Sequence, residues 1–254
     1  MEREKTMRWN AREEILGTIR YGLGKIGEGD DTRASGRPPL AKEDYAERIA
    51  RRREELETKR EALVHRLAEE IARIRGAFYR ATSEEMVAEQ IRVIAQNRDV
   101  KSIVQWDSPL LNGQKIGETL RKAKIEVISP SQLFNLPEDQ RRKSLRELTI
   151  EANIGVTGVD YAMAETATLV LIAKEGQGQL ASLLPPVHIA VVNADRVIFG
   201  LEDLFLFVKG EELPLSSCLT FITGPSRTAD IELSLTIGVH GPGELHLIVK
   251  VSDE

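Results

Sequence analysis

The sequence contains very little cysteine. Cys218 is the single cysteine in 254 residues, which excludes a disulfide within the chain and any site built from several thiolates. An iron–sulfur cubane or a zinc ribbon needs about four ligands, most of them cysteines, so this chain holds neither by itself. We therefore predict that the chain carries no cofactor of its own and that the protein is cytoplasmic.

Long apolar runs and a surplus of positive charge are missing as well. No apolar run approaches the length of about 18 residues that a membrane span needs, and the opening residues, MEREKTMRWNAREE, are too charged for a secretory signal. The formal net charge of −5 gives no reason to expect nucleic acid as a partner. With 41% hydrophobic and 30% charged residues, the composition favours a soluble protein with a packed core.

The first part of the chain, residues 1–80, differs in pattern from residues 81–254. Residues 7–21 favour a short helix, and residues 22–40, with five glycines and two prolines among them, favour a linker. Residues 41–75 contain neither glycine nor proline, and their apolar side chains recur at the spacing of one helix face. This stripe is thin before Leu63. We therefore predict a helical extension whose first half docks onto a partner or onto another copy of the chain in a homo-oligomer.

Residues 81–254 alternate between helical and strand patterns, as expected for an α/β domain. Helical patterns at 83–97, at 113–123 and after Pro137 separate some of the strands. Apolar runs of the β type lie at residues 101–106, 124–128, 168–173, 188–192, 219–223 and 245–251. Because these runs lack clean polar alternation, they indicate a mainly parallel sheet flanked by helices on both faces.

Two familiar motifs occur without the context that their chemistry needs. Residues 22–27 match GxGxxG, but they follow a predicted helix and enter a proline-containing loop, whereas a dinucleotide fingerprint follows a strand and opens a helix. Ser226, Asp230 and His240 contain the groups of a catalytic triad, yet nothing in their spacing requires one. We interpret the first motif as a helix end and leave the second without a role.

The histidines are better explained by hydrogen bonding than by metal binding. His188 begins an apolar run and is predicted to be a hydrogen-bonded core histidine, whereas His65 lies on a charged helix face and is predicted to be solvated. His240, Glu244 and His246 are close in sequence, and the last two share one face of an extended segment. They are weak candidates for a metal site, and a hydrogen-bonded set on an edge strand is the interpretation we favour.

Polar residues interrupt the apolar stretch Gly155–Leu171 at Asp160, Glu165, Thr166 and Thr168. They lie between a predicted strand and a β-type run, where an α/β sheet usually opens its ligand crevice. A carboxylate at such a point can bind a cation, or act as a base or nucleophile if its pKa is shifted. The alternative is that Asp160 caps a helix and Glu165 is a surface acid at a turn.

The stretch Leu183–Val192 is mainly architectural, because its two prolines force an extended entry into a buried strand. Asn193 follows at the end of that strand and could line a crevice. The stretch Phe221–Asp230 is more informative, since a strand is predicted to turn there towards a helix that starts at Thr228–Ile231. Free N–H groups at a helix start, with hydroxyls and an arginine beside them, make an anion site. The predicted anion-binding residues are Asp160, Thr223, Gly224, Ser226, Arg227 and Thr228; alternatively, the loop is a cap with Arg227 paired to Asp230 or Glu232.

Three stretches together resemble a known family: ITGPSRTADIELSLTIGVHGPGELHLIV, AETATLVL and SLLPPVHIAVV. They are similar to the LutC (YkgG) family of lactate-utilisation proteins, which consist of a LUD domain, and the resemblance covers roughly residues 80–254. It implies a fold of the NagB/RpiA/CoA-transferase type, shared with glucosamine-phosphate isomerase, ribose-phosphate isomerase and the CoA transferases. It also implies work beside two iron–sulfur subunits, LutA- and LutB-like, that oxidise L-lactate to pyruvate.

Two classes of function stay open at this point. In the first, the chain is an accessory, non-redox subunit that binds a small carboxylate or a related anion. In the second, it is a stand-alone acyl/CoA transferase or sugar-phosphate isomerase, with Glu165 as the tentative catalytic carboxylate by analogy with the CoA transferases. In either case we expect Glu165 and the Thr223–Thr228 loop to face each other in one crevice at the carboxyl edge of the sheet.

Overall fold

The computed structural model describes residues 42–210, 218–229 and 235–251. The predicted helix at 7–21, the linker at 22–40 and Asp230 lie outside these ranges. None of the helices in the described part of the chain is both long and apolar enough to cross a bilayer.

The long helix predicted for residues 41–75 is present as two successive helices, α1 (Lys42–Thr58) and α2 (Arg60–Arg73), which meet at Lys59. The apolar face of α2 is buried, as its periodicity predicts. α1 packs against a later helix, α7 (Leu201–Gly210), so that Ile49 is only 8% exposed and Leu56 only 4%. The prediction that the first half of the helix is left free for a partner is therefore wrong for the face of α1 that contains Ile49 and Leu56. The division of the chain near residue 80 stays a prediction.

The main sheet is entirely parallel, which confirms the predicted fold class. Its strands are β1 (Ala77–Ala81), β2 (Ser102–Gln105), β3 (Glu126–Ile128), β4 (Ile154–Gly158), β7 (Val187–Asn193) and β12 (Glu244–Lys250). Their order is β1-β12-β7-β4-β2-β3. In the register, His188 of β7 lies between Gly155 of β4 and Leu245 of β12. The centre of the sheet is buried on both faces, because β4 and β7 consist almost entirely of buried side chains.

Helices connect the parallel strands at the predicted places. They are α3 (Glu84–Gln96), α4 (Gln114–Lys122) and α5 (Glu138–Glu151). The Ser83 hydroxyl caps α3 by accepting a hydrogen bond from the Met86 amide at 3.3 Å. A short helix, α6 (Leu180–Leu183), lies so close to β4 that a Cβ atom on Gly155 would be 1.7 Å from the Ala181 carbonyl oxygen. Glycine is therefore required at this crossing.

A second sheet was not predicted. It consists of β5 (Tyr161–Met163), β6 (Thr168–Ile172), β8 (Val197–Ile198) and β9 (Leu219–Ile222), in the order β8-β5-β6-β9. β6 is antiparallel to both of its neighbours. The apolar runs at 168–173 and 219–223 thus form strands as predicted, but outside the parallel sheet. The reason is the turn at residues 164–167, which is too short for the crossover that a parallel pair needs.

The chain after β9 forms a hairpin where a helix start was predicted. β10 (Arg227–Ala229) pairs antiparallel with β11 (Leu235–Ile237), and Thr228 lies opposite Thr236. The amide of Gly238 donates to the carbonyl of Ser226 at 3.0 Å, and the Ser226 amide donates to Pro242 at 2.8 Å. The prediction of free helix-start N–H groups at Thr228–Ile231 is therefore wrong over the described residues, because pairing within the hairpin uses the local backbone groups.

Candidate functional site

The carboxyl ends of the parallel strands open into a cavity of about 440 Å³, which we call the crevice. β4, β7 and β12 end here at Gly158, Asn193 and Lys250, and the start of α3 and the second sheet form its other walls. Asp160 and Asn193 both line the crevice, as the sequence suggested. Its polar and charged side chains are Glu84, Ser108, Asp160, Lys174, Gln177, Asn193, Arg196 and Lys250.

Asp160 connects the two sheets instead of capping a helix. One carboxylate oxygen accepts a hydrogen bond from the Ile172 amide at 2.7 Å, and the other lies 2.5 Å from the Lys174 ammonium. Since both oxygens have partners at the edge of the second sheet, Asp160 holds Lys174 at the crevice. The alternative interpretation of Asp160 as a helix N-cap is wrong, because β5 follows it.

Among the described residues that line the crevice, Ser108 is the one with a buried polar side-chain atom that has no hydrogen-bond partner. The residue is 7% exposed, and its hydroxyl has no hydrogen-bond partner among the described residues. Gly158 lies opposite, so close that a Cβ atom there would be 3.3 Å from the Ser108 Oγ. A buried hydroxyl without a partner costs about 1–3 kcal/mol. A ligand in the crevice would remove this cost.

The charges around the crevice favour an anion. Three cationic side chains, Lys174, Lys250 and Arg196, line it together with two carboxylates, Glu84 and Asp160. Over the ranges that the structure describes, the Lys250 ammonium makes no ion pair. Since Asp160 pairs with Lys174 and Asp195 lies 3.9 Å from the Arg196 guanidinium, Lys250 is the lining cation that makes no ion pair among the described residues.

The Thr223–Ser226 segment lies elsewhere. Thr223, Gly224 and Ser226 line a second cavity of about 220 Å³ together with His188, which we call the His188 cavity. His188 is the second residue of β7, so this cavity adjoins the amino ends of the parallel strands. The segment therefore does not lie at the carboxyl edge of the parallel sheet, where a crevice shared with Glu165 was expected, because the antiparallel pairing of β9 with β6 carries it to the opposite end of the strands.

Arg227 is not among the residues that line either cavity. The Arg227 guanidinium donates to the carbonyl oxygen of Ile74, at the end of α2. Thr228 is part of β10, where it contributes backbone pairing. The structure thus separates Arg227 from the Asp160 crevice, and the alternative pairing with Asp230 or Glu232 lies outside the described residues.

Glu165 is exposed in the turn between β5 and β6 and lines neither cavity. This is the position of a surface acid at a turn, the alternative that the sequence left open, and a catalytic role for it stays a prediction. Nearby, the hydroxyl of Thr168 lies 2.8 Å from that of Thr166 and 2.8 Å from that of Thr223. These contacts fasten the turn to the end of β9.

Glu244 and His246 form a hydrogen-bonded set, but the prediction of an edge strand is wrong, because β12 lies between β1 and β7 in the sheet. The His246 Nε2 lies 3.3 Å from the Glu244 carboxylate, its Nδ1 lies 3.0 Å from the Tyr79 hydroxyl, and the Arg98 guanidinium binds Glu244. The bond from Arg98 lowers the pKa of Glu244, while burial lowers the pKa of His246. His240 lines the His188 cavity instead. Within the described ranges, no three His, Cys, Asp or Glu side chains are grouped so as to hold a metal ion.

Sequence reasoning missed Ser108, although a signal was present. The segment DSP at residues 107–109 directly follows the strand predicted at residues 101–106, as Asp160 and Asn193 follow strands. Polar side chains after parallel strands meet at one edge of a sheet. What the sequence could not show is that the Ser108 hydroxyl is buried without a partner.

Comparisons with known proteins agree on one family. The profile of the LUD domain matches residues 64–249. A lactate utilization protein C from Halalkalibacterium halodurans is 30% identical over 91% of this chain and 94% of its own length. One from an Exiguobacterium species is 31% identical over 79% of this chain and 92% of its own length.

A solved structure is similar in fold. The crystal structure of a DUF162 family protein from Deinococcus radiodurans covers 76% of this chain and 98% of its own, with a TM-score of 0.50 and 23% identity. At this identity, the likeness concerns the fold alone.

Proposed function

The chain belongs to the LUD domain family, and we propose that it serves lactate utilisation by binding a small carboxylate in the crevice, as an accessory subunit without a redox group of its own. The role in lactate utilisation is supported by relatives that carry this name and that the chain matches over 94% and 92% of their length. The ligand class is supported by the chemistry of the crevice.

The unpartnered Ser108 hydroxyl is the observation that carries the proposal. It is buried at the carboxyl edge of the sheet, in a cavity that Lys174 and Lys250 also line. A carboxylate in this cavity would receive a hydrogen bond from Ser108 and favourable charge from Lys250, because Lys174 is already paired with Asp160. The Asn193 amide can bind a hydroxyl or carbonyl group on the neighbouring carbon, as lactate and pyruvate respectively present.

The proposed division of labour follows from what the crevice can do chemically. Oxidation of lactate to pyruvate removes two electrons and two protons, and the amine, carboxylate, hydroxyl and amide groups of the crevice accept protons but not electrons. We therefore assign the electrons to iron–sulfur subunits that work beside this chain. Its one cysteine cannot hold a cluster alone.

The ligand is tested by calorimetry with lactate and with pyruvate. Because a hydrogen bond to a charged group contributes about 1.5–3 kcal/mol, Ser108→Ala should weaken carboxylate binding by roughly 10- to 150-fold. Lys250→Gln should weaken it as well, whereas Lys101→Gln, an exposed lysine outside the crevice, serves as the matched control. If both crevice variants bind lactate and pyruvate as tightly as the parent, the ligand does not bind in this cavity.

The role is tested separately from the ligand. The chain is co-expressed with iron–sulfur subunits of the LutA and LutB type, and lactate-dependent electron transfer is measured with and without it. The chain purified anaerobically by itself should be colourless, and stoichiometric iron or flavin in it would place the redox group here and contradict the accessory role.

A further inference from the structure

The His188 cavity differs in chemistry from the crevice. Among the described residues that line it, none is an aspartate, glutamate, lysine or arginine. Leu183, Phe221, Pro242 and Leu245 contribute apolar surface, and the polar groups are hydroxyls and the imidazoles of His188 and His240. With about 220 Å³, it exceeds the volume of about 150 Å³ in which an apolar protein cavity holds benzene.

His188 is buried in this cavity with half of its hydrogen bonding unmet. The residue is 1% exposed. Its Nε2 lies 2.8 Å from the Thr157 hydroxyl, but its Nδ1 has no hydrogen-bond partner in the part of the chain that the structure describes. A neutral imidazole has one donor and one acceptor nitrogen, so Nδ1 offers either an N–H or a lone pair. Such a group is rarely left alone in a protein interior, because its desolvation costs about 1–3 kcal/mol.

The charge state of His188 restricts which ligands can form a hydrogen bond with its Nδ1. Burial lowers the pKa of His188 to about 3, so the imidazole is neutral at physiological pH and does not attract anions. The apolar walls disfavour a charged ligand further, because no charged side chain among the described lining residues would compensate the loss of its hydration.

We propose that the His188 cavity is a second ligand site, specific for a small uncharged molecule with an apolar body of about one ring and a single hydroxyl, carbonyl or amide group that pairs with Nδ1. This site lies at the amino ends of β7 and β12, at the opposite edge of the sheet from the crevice. It does not depend on the function proposed for the crevice, since the two cavities select ligands of opposite character.

Three probes of similar size separate the effects of the apolar ring, the hydroxyl group and charge on binding. Benzyl alcohol has the ring and the hydroxyl, toluene lacks the hydroxyl, and benzoate carries a charge. We expect benzyl alcohol to bind in a saturable way, about tenfold more tightly than toluene, from the difference of one buried hydrogen bond. Benzoate should not bind here. With the histidines labelled with ¹⁵N, the nitrogen resonances of His188 should shift on addition of benzyl alcohol.

Two variants locate the binding. Ser226→Phe places a ring at the half-buried rim of the cavity and should abolish benzyl alcohol binding. His188→Phe keeps a ring at the floor but removes Nδ1, and should bring benzyl alcohol down to the affinity of toluene. If His188→Phe fails to fold, Ser226→Phe by itself tests whether benzyl alcohol binds in the His188 cavity. Lys250→Gln, in the crevice, is the control and should bind benzyl alcohol as the parent does.

Several results would overturn the proposal. Resonances of His188 that do not move with any probe would mean that Nδ1 binds an internal water only. Benzyl alcohol binding that survives Ser226→Phe would place the probe elsewhere, and benzoate binding as tight as that of benzyl alcohol would contradict the selection for uncharged ligands.

Discussion

The Arg52 guanidinium on α1 forms a bidentate pair with Asp203 on α7, with nitrogen–oxygen distances of 2.7 and 3.2 Å. Asp203 is only 5% exposed and also accepts a hydrogen bond from the Phe199 amide at 3.0 Å. The pair raises the pKa of Arg52, so the guanidinium stays charged. It fastens the first half of the predicted extension to the domain.

We expect Arg52→Ala to lower the free energy of unfolding by about 2–3 kcal/mol, because Asp203 is left buried with part of its charge uncompensated. Urea unfolding measures the change. Arg51→Ala is the control, since the Arg51 side chain is 71% exposed and should change stability little. Equal effects of the two substitutions would show that α1 is not held by this pair.

Asp160→Asn should strengthen carboxylate binding in the crevice by a few fold while lowering stability by about 1–2 kcal/mol. The substitution removes one of the two crevice carboxylates and frees Lys174, but it weakens the bond to the Ile172 amide. Calorimetry with pyruvate measures the change in affinity, and thermal unfolding measures the change in stability. A loss of affinity would mean that Asp160 itself contacts the ligand; Glu165→Gln, outside the crevice, should leave the affinity unchanged.

Acid should destabilise the protein through His188. Its folded pKa, about 3, is below the value of about 6.5 for an unfolded histidine, so burying the neutral ring contributes stability above pH 6.5. That contribution falls by up to about 1.4 kcal/mol per pH unit between pH 6.5 and 3. The lowered pKa of Glu244 adds a loss of the same sign at lower pH.

The histidine contribution is isolated by comparing the parent with His188→Gln. The free energy of unfolding is measured at pH 7 and pH 4.5, and the parent should lose about 2–3 kcal/mol more than the variant over this range. The same loss in both proteins would show that His188 does not titrate with unfolding.

Two glycines should respond to alanine in opposite directions. Gly155→Ala places a Cβ atom 1.7 Å from the Ala181 carbonyl oxygen, so α6 must move away from β4 and the free energy of unfolding should fall by about 3 kcal/mol or more. Gly117, within α4, has no atom within 4 Å of the added Cβ. Gly117→Ala should therefore raise the free energy of unfolding by about 0.5–1 kcal/mol. A neutral Gly155→Ala would contradict the close packing of α6 on β4.

Local sequence patterns determined much of the architecture. The periodicity over residues 41–75 predicted a helix, because side chains three or four residues apart lie on one face of the same helix. The uninterrupted apolar runs at β7 and β12 predicted a parallel sheet, because the strands of such a sheet are buried on both faces and lack alternating polar residues. The family resemblance, concentrated in the last hundred residues, led to the LUD domain.

Only the tertiary structure decided which strands pair and which polar groups are left without partners. The runs that became β6 and β9 look like the strands of the main sheet in sequence, but the short turn after β5 directs them into a second sheet. That pairing carried Thr223 and Ser226 away from Asp160, to the His188 cavity. A buried hydroxyl such as that of Ser108 lacks a partner only because of what distant segments place around it. Partner choice is set by such non-local contacts, and no pattern of neighbouring residues encodes them.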